Sequence, residues 1–183
     1  ADRERLFDLL KPFNKVLLLT AHGQVQRHHR HGPADGWFGA APLHEYNVGA
    51  ACGGYWSGVK DADGIPDSRM SDGTPNGYAS ATFSADGNYA LRWHVARGGD
   101  AGMHLHAPRV LRAGAYPGAG VYANVYMGEA DSRVEYRING GVWQPMRLSD
   151  QPDPALRTQN LLDDAAAGLR GYDRLPEAAQ TTH

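Results

Sequence analysis

Cysteine is nearly absent: Cys52 is the only one in 183 residues. That excludes an intramolecular disulfide and any paired-thiolate metal knuckle. An isolated cysteine packs as a small hydrophobe more often than it attacks a substrate. Long apolar runs are missing as well. The longest, Val16 to Leu19, falls far short of the ~20 residues of a bilayer-spanning helix, so no transmembrane segment is expected. There is no excess of charge, because 18 Lys and Arg face 20 Asp and Glu. A formal charge of −2 lacks the basic footprint of a nucleic-acid-binding protein. No Gly-x-Ser-x-Gly elbow occurs, which argues against a serine hydrolase. Gly49-Ala50-Ala51-Cys52-Gly53-Gly54 is not followed by Lys-Ser/Thr, so it is no phosphate cradle. The opening Ala1-Asp2-Arg3-Glu4-Arg5 is charged and reads as a helix start, not a signal peptide.

Glycine and proline are plentiful, at 23 and 11, and they divide the chain into short strands and turns. Only the two ends look helical. Leu6, Phe7, Leu9 and Leu10 form an apolar stripe that Pro12 limits, and a weaker helical patch covers Leu156 to Ala167. Val16 to Thr20 is apolar at consecutive positions, the pattern of a strand covered on both faces. Tyr78–Phe83 and Tyr89–Val95 read as a hairpin about the turn Ala85-Asp86-Gly87-Asn88, with Tyr89, Leu91, Trp93 and Val95 on the inner face. His94 falls on the opposite face and reads as a surface residue. Residues 59–76 read as one long loop. Arg97 to Gly102 is the best linker. Beyond it, Met103–Pro108 and Val121–Tyr126 look like strands, and Arg133–Ile138 with Val142–Met146 like a second hairpin. The expected class is therefore mainly β with an α+β remnant, its second half an Ig-like sandwich-type domain. The stretch Gly171–Pro176 leads into an end that reads as unstructured.

Four of the nine histidines lie between His22 and His31, where a buried strand would emerge into a loop. His22 is the candidate metal ligand there. Two residues on stands Gln24, whose amide oxygen is a poorer ligand. His28, His29 and His31 would extend the cluster only in part, since neighbours on extended chain point to opposite sides. The plainer alternative is a solvated basic loop. His104 and His106 share one strand face, more often a wet face than a chelate. Asp61, Asp63 and Asp67 open like a calcium loop but lack the glutamate at its twelfth position, which Asp72 holds.

The strand Leu17-Leu18-Leu19-Thr20-Ala21-His22-Gly23-Gln24 resembles the last conserved block of calcineurin-like metallophosphoesterases, a buried strand ending in Gly-His-x-His. Gln26-Arg27-His28-His29, Tyr46-Asn47-Val48-Gly49, Tyr55-Trp56-Ser57-Gly58, Gly64-Ile65-Pro66-Asp67, Met70 to Tyr78 and Val134 to Trp143 are similar to one subfamily. These are bacterial proteins with a C-terminal β domain after the phosphoesterase core, and Asp72-Gly73-Thr74-Pro75-Asn76-Gly77-Tyr78 is the most specific of their blocks here.

The resemblance implies a parent enzyme that hydrolyses phosphate esters with a pair of divalent metals. It implies that His22 binds one metal, that Gln24 replaces the histidine serving the other, and that His28 and His29 line the substrate-side loop. The family's earlier blocks, Asp-x-His, Gly-Asp-x-x-Asp and Gly-Asn-His-Glu/Asp, do not occur in these 183 residues. The chain then reads as a C-terminal portion, inactive alone: residues 1–97 the edge of the catalytic sandwich, 98–183 an accessory β domain. Exposed sheet faces would favour self-association, and the resemblance alone suggests a periplasmic or secreted location. A different class remains open, a carbohydrate- or protein-binding module using Trp37, Tyr55, Trp56 and Trp143.

Overall fold

A computed structural model describes residues 2–97, 99, 101–110, 114, 120–165, 177–178 and 180–183. The stretch 171–176, Gly98 and Asp100 of the expected linker, and the last two residues of the expected second helix lie outside the described residues. The chain is mainly β, built from small sheets.

Helix α1 (Asp2–Leu10) buries Phe7 and, one turn on, part of Leu10. Leu6 and Leu9 remain exposed, so the stripe is narrower than its sequence suggests. Phe7 meets Trp37 edge-on, with ring centroids 5.5 Å apart, and Leu43 completes the cluster. Val16 and Leu18 pack against it. Strand β1 (Leu17–Thr20) runs parallel to β3 (Leu43–Asn47), and β2 (Arg27–His31) pairs antiparallel with the other edge of β3. Because β1 is an edge, only part of it is covered: Leu19 is 56% exposed. The expectation of a strand buried on both faces is corrected accordingly. Strand β2 takes the place of the expected histidine loop. Its Arg-His-His-Arg-His sequence has no apolar alternation, so strand patterning misses it.

The hairpin of β4 (Gly77–Phe83) and β5 (Tyr89–Val95) forms as expected, with Gly77 opposite Val95 and Phe83 opposite Tyr89. Asp86 organises the turn by accepting from the Asn88 backbone N–H at 3.1 Å. Trp93 is the buried residue of the inner face. His94 is not a plain surface residue. Its ring stacks on Tyr78 at 4.8 Å, and its Nε2 hydrogen-bonds the Ser80 hydroxyl at 2.8 Å.

In the second half, β6 (Met103–His106) pairs with β7 (Tyr122–Val125), and β8 (Glu135–Tyr136) with β9 (Gln144–Pro145). Among the described residues these are two-stranded ladders. Helix α2 (Pro154–Ala165) starts two residues before the expected patch, at a capping site. Asp153 accepts the Leu156 N–H at 2.7 Å, and proline occupies the first helical position.

The chain's last residues are ordered, against the expectation of an unstructured end. Thr181, Thr182 and His183 are buried. They extend the β6–β7 ladder through Val125 N–H to Thr181 O, and through reciprocal bonds between Ala123 and His183, all at 2.7 Å. Side chains tie this half to the first. The Gln180 amide accepts from His28 N–H and donates to His28 C=O, both at 2.9 Å. Asn124 Nδ2 donates to Asp72 O at 2.7 Å and to Asp153 Oδ2 at 2.9 Å.

Candidate functional site

Strand β1 delivers the chain to a turn with two non-glycine residues in the left-handed region, His22 at φ 82° and Gln24 at φ 54°. Such a backbone is unfavourable for residues with a Cβ and persists where neighbours impose it. Here Val48 N–H bonds to Thr20 O at 2.8 Å, Asn47 Nδ2 to Val25 O at 2.9 Å, and Gln26 N–H to Asp72 at 2.7 Å. The turn is thus clamped on both sides. His22 is exposed and Gln24 half-buried. Among the described residues, no His, Cys, Asp or Glu group within ligand reach includes His22.

The structure gathers other histidines instead. His28, expected in a loop, lies on β2 and is 6% exposed; His44, on β3, is 3% exposed. Antiparallel pairing sets His28 opposite Tyr46 and Arg30 opposite His44, so the two buried imidazoles lie diagonally on one face. His28 Nδ1 and His44 Nε2 are 2.9 Å apart, and His28 stacks on Tyr46 at 4.7 Å. His44 Nδ1 meets the Tyr89 hydroxyl at 2.5 Å. Glu129, just after β7, brings Oε1 to 3.8 Å from His28 Nδ1. Arg30 holds Glu129 through Nη2, at 2.9 Å from both carboxylate oxygens.

Burial, then the Arg30 charge and His28, push His44 down to about 4. Burial likewise lowers His28, with Glu129 acting against it. Both rings are therefore neutral at pH 7. One proton is shared between His28 Nδ1 and His44 Nε2, and the tautomer sets which ring donates it, while His28 Nε2 is buried with no hydrogen-bond partner among the described residues.

The remaining histidines of the cluster behave differently. His29 is exposed and stacks on His31 at 5.8 Å, while His31 Nε2 pairs with Glu45 at 2.6 Å. Sequence reasoning missed His44 and Glu129 altogether. His44 lies sixteen residues from His28 and Glu129 a further eighty-five beyond it, and only strand register and the chain's return bring them together.

The Asp72–Tyr78 block is a tether. Asp72 is fully buried; its Oδ2 accepts from Gln26 N–H at 2.7 Å and its Oδ1 from Thr74 N–H at 2.8 Å. Asn76 Nδ2 reaches Ala51 O at 2.8 Å, and Pro75 O accepts from the Trp93 indole at 3.2 Å. One short segment thus fastens the strand-end turn, the glycine-rich loop, the hairpin and, through Asn124, α2. Burial raises the Asp72 carboxyl to about 6, against the pull of the two backbone N–H groups.

Asp61 accepts from the Asp63 and Ile65 N–H groups of its own loop and from the Arg97 guanidinium at 2.8 Å. His104 and His106 join no such ligand group among the described residues.

A family model described as the C terminal of calcineurin-like phosphoesterase matches residues 45–183. The chain belongs to this family. The match takes in every block from Tyr46-Asn47-Val48-Gly49 to Val134–Trp143, so the Asp72–Tyr78 tether is part of the phosphoesterase C-terminal region. It begins after His22, Gln24, His28, His29 and His44, and it includes Tyr89 and Glu129. Neither the curated proteins nor the solved structures gave a match. No helix among the described residues is long and apolar enough to cross a membrane.

Proposed function

We propose that this chain is the C-terminal portion of a metal-dependent phosphoesterase, with residues 1–97 completing the edge of the catalytic sandwich and 98–183 forming an accessory β domain. The observation that carries the reading is the strand-end turn. His22 leaves β1 in a clamped left-handed conformation, exposed to whatever packs on that edge. An exposed imidazole fits a divalent ion; the neutral amide of Gln24 is a weaker donor, and the two are an incomplete set. A bound pair of cations would activate water and clamp the phosphate oxygens. His22 would hold one ion, Gln24 would contribute weakly to the other, and His29, exposed on β2, would face the substrate side with His28 behind it.

The 183-residue chain by itself is then inactive. With manganese or zinc it should hydrolyse p-nitrophenyl phosphate no faster than the metal alone. Turnover that a chelator and His22→Ala both suppress would overturn this.

The same reading explains why apolar side chains such as Leu19, Phe38 and Phe83 stand in solvent. Self-association should follow, read by light scattering as a mass above 19.8 kDa that grows with concentration. A strict monomer at all concentrations would count against the uncovered-edge picture. A binding-module reading would rest on Tyr55 and Trp56, adjacent and half-exposed. Trp37 is buried in the first core, and the face of Trp143 is occupied by the Arg137 guanidinium at 4.8 Å.

A further inference from the structure

We propose that His28, His44 and Glu129 form a divalent transition-metal site of zinc type, with ligands separate from the His22–Gln24 turn. One ligand atom from each residue lies within 4.8 Å of the other two. His28 Nδ1 is 2.9 Å from His44 Nε2 and 3.8 Å from Glu129 Oε1. A cation centred among these atoms would stand within about 2.4 Å of each, against the 2.0–2.2 Å of zinc bonds to imidazole and carboxylate, so shifts of a few tenths of an ångström complete it. Two imidazoles and a carboxylate, with a fourth position open, is a donor set that zinc accepts and calcium does not.

The surroundings are those of a ligand site. The outer nitrogen of His44 meets Tyr89 at 2.5 Å, so that ring is oriented from behind, and stacking on Tyr46 at 4.7 Å fixes the plane of the His28 ring. Gln180 pins the His28 backbone from the far end of the chain through two 2.9 Å bonds. Loading requires that the one proton shared by His28 Nδ1 and His44 Nε2 leave that contact: carried on His44 it moves to Nδ1, with Tyr89 Oη accepting the hydrogen bond, and carried on His28 it moves to Nε2. The pair stays neutral and no net proton is released.

Arg30 is the counter-ion that holds Glu129 without metal. Its side chain is half-exposed, so it can withdraw to solvent when a cation takes the carboxylate. Arg30 therefore competes with the metal, and its removal should tighten binding. A purely structural His–His pair beside an Arg–Glu pair makes no such prediction.

The test is titration of the purified chain with Zn²⁺ against a chromophoric chelator, and with Co²⁺ followed by its visible absorption. One equivalent of Zn²⁺ should bind, and Co²⁺ should give the intense bands of a four-coordinate site. Loss of an outer-shell partner costs about 10–100-fold in metal affinity, so His44→Gln or Glu129→Gln should weaken binding by roughly 100-fold or more. Arg30→Gln should strengthen it, and His22→Ala should leave it unchanged. Arg30 is a surface side chain, so that variant reports even if His44→Gln does not fold. The proposal is overturned if the wild-type chain binds no stoichiometric zinc. It is equally overturned if Arg30→Gln weakens binding, or if His22→Ala removes it.

Discussion

Asp72→Ala should lose about 3–5 kcal/mol of folding stability, measured by urea denaturation, because it strips a buried carboxylate acceptor from two backbone N–H groups. Gln26 N–H at 2.7 Å and Thr74 N–H at 2.8 Å would both be left in the interior without a partner. Hydrogen bonds to an ionised acceptor are about twice as strong as neutral ones, and domains of this size have only about 5–15 kcal/mol in total. Asp72→Asn keeps one acceptor oxygen and should cost less, about 1–3 kcal/mol. A loss below about 1 kcal/mol for Asp72→Ala would show that the tether carries little of the fold.

The pair of variants also isolates a pH effect of known sign. The folded Asp72 carboxyl lies at about 6, above its ordinary 3.8. Between those values the folded state holds a proton that the unfolded state has released, so stability falls as pH rises. The stabilisation of the neutral form is fully present below 3.8 and is lost as pH passes through about 6; over that window it amounts to about 3 kcal/mol. Wild type minus Asp72→Asn should therefore fall by about that amount from pH 4 to pH 7. A flat difference would place the carboxyl at its ordinary value.

Gly53→Ala should be comparably damaging, at about 2–4 kcal/mol or more. Gly53 sits at φ 52°, and a Cβ there would lie 1.5 Å from the backbone oxygen of Ser68 and 2.5 Å from its carbonyl carbon. Backbone cannot step aside as a flexible side chain can. The two strands of loop that meet there, held by Gly54 N–H to Arg69 O and Gly58 N–H to Asp67 O, would have to separate. Left-handed strain of about 1 kcal/mol adds to overpacking of about 1–3 kcal/mol or more. Gly64→Ala is the control: its φ is 78° with nothing within 4 Å, so it should lose only about 1 kcal/mol. Equal melting temperatures for the two variants would show that the close approach at Ser68 is not maintained in solution.

How far the sequence is legible differs from element to element. The β4–β5 hairpin is readable because its alternation and its Asp-Gly-Asn turn are local, and the same holds for α2, with Asp153 before Pro154. Strand β2 is not readable, because its one buried residue is a histidine, His28, which pattern reasoning counts as polar. The specific Asp72–Tyr78 block announces a family, yet its sequence does not say that it works as a tether. That role depends on Gln26, Ala51, Trp93 and Asn124, all of which meet it from elsewhere in the chain.

By itself, then, the sequence determines the mainly-β class, the turns and helix start, and the kinship with calcineurin-like phosphoesterases. These depend on local spacing, on capping and turn chemistry, and on contiguous blocks. The tertiary structure alone decides which histidines meet. His22, the residue that motif reading singles out, stands exposed on a strained turn. His28 and His44 are brought together by the register of β2 on β3, and Glu129 joins them through the second half of the chain. Pairing register and chain return are set by burial summed over the whole fold, and no short stretch of sequence encodes them.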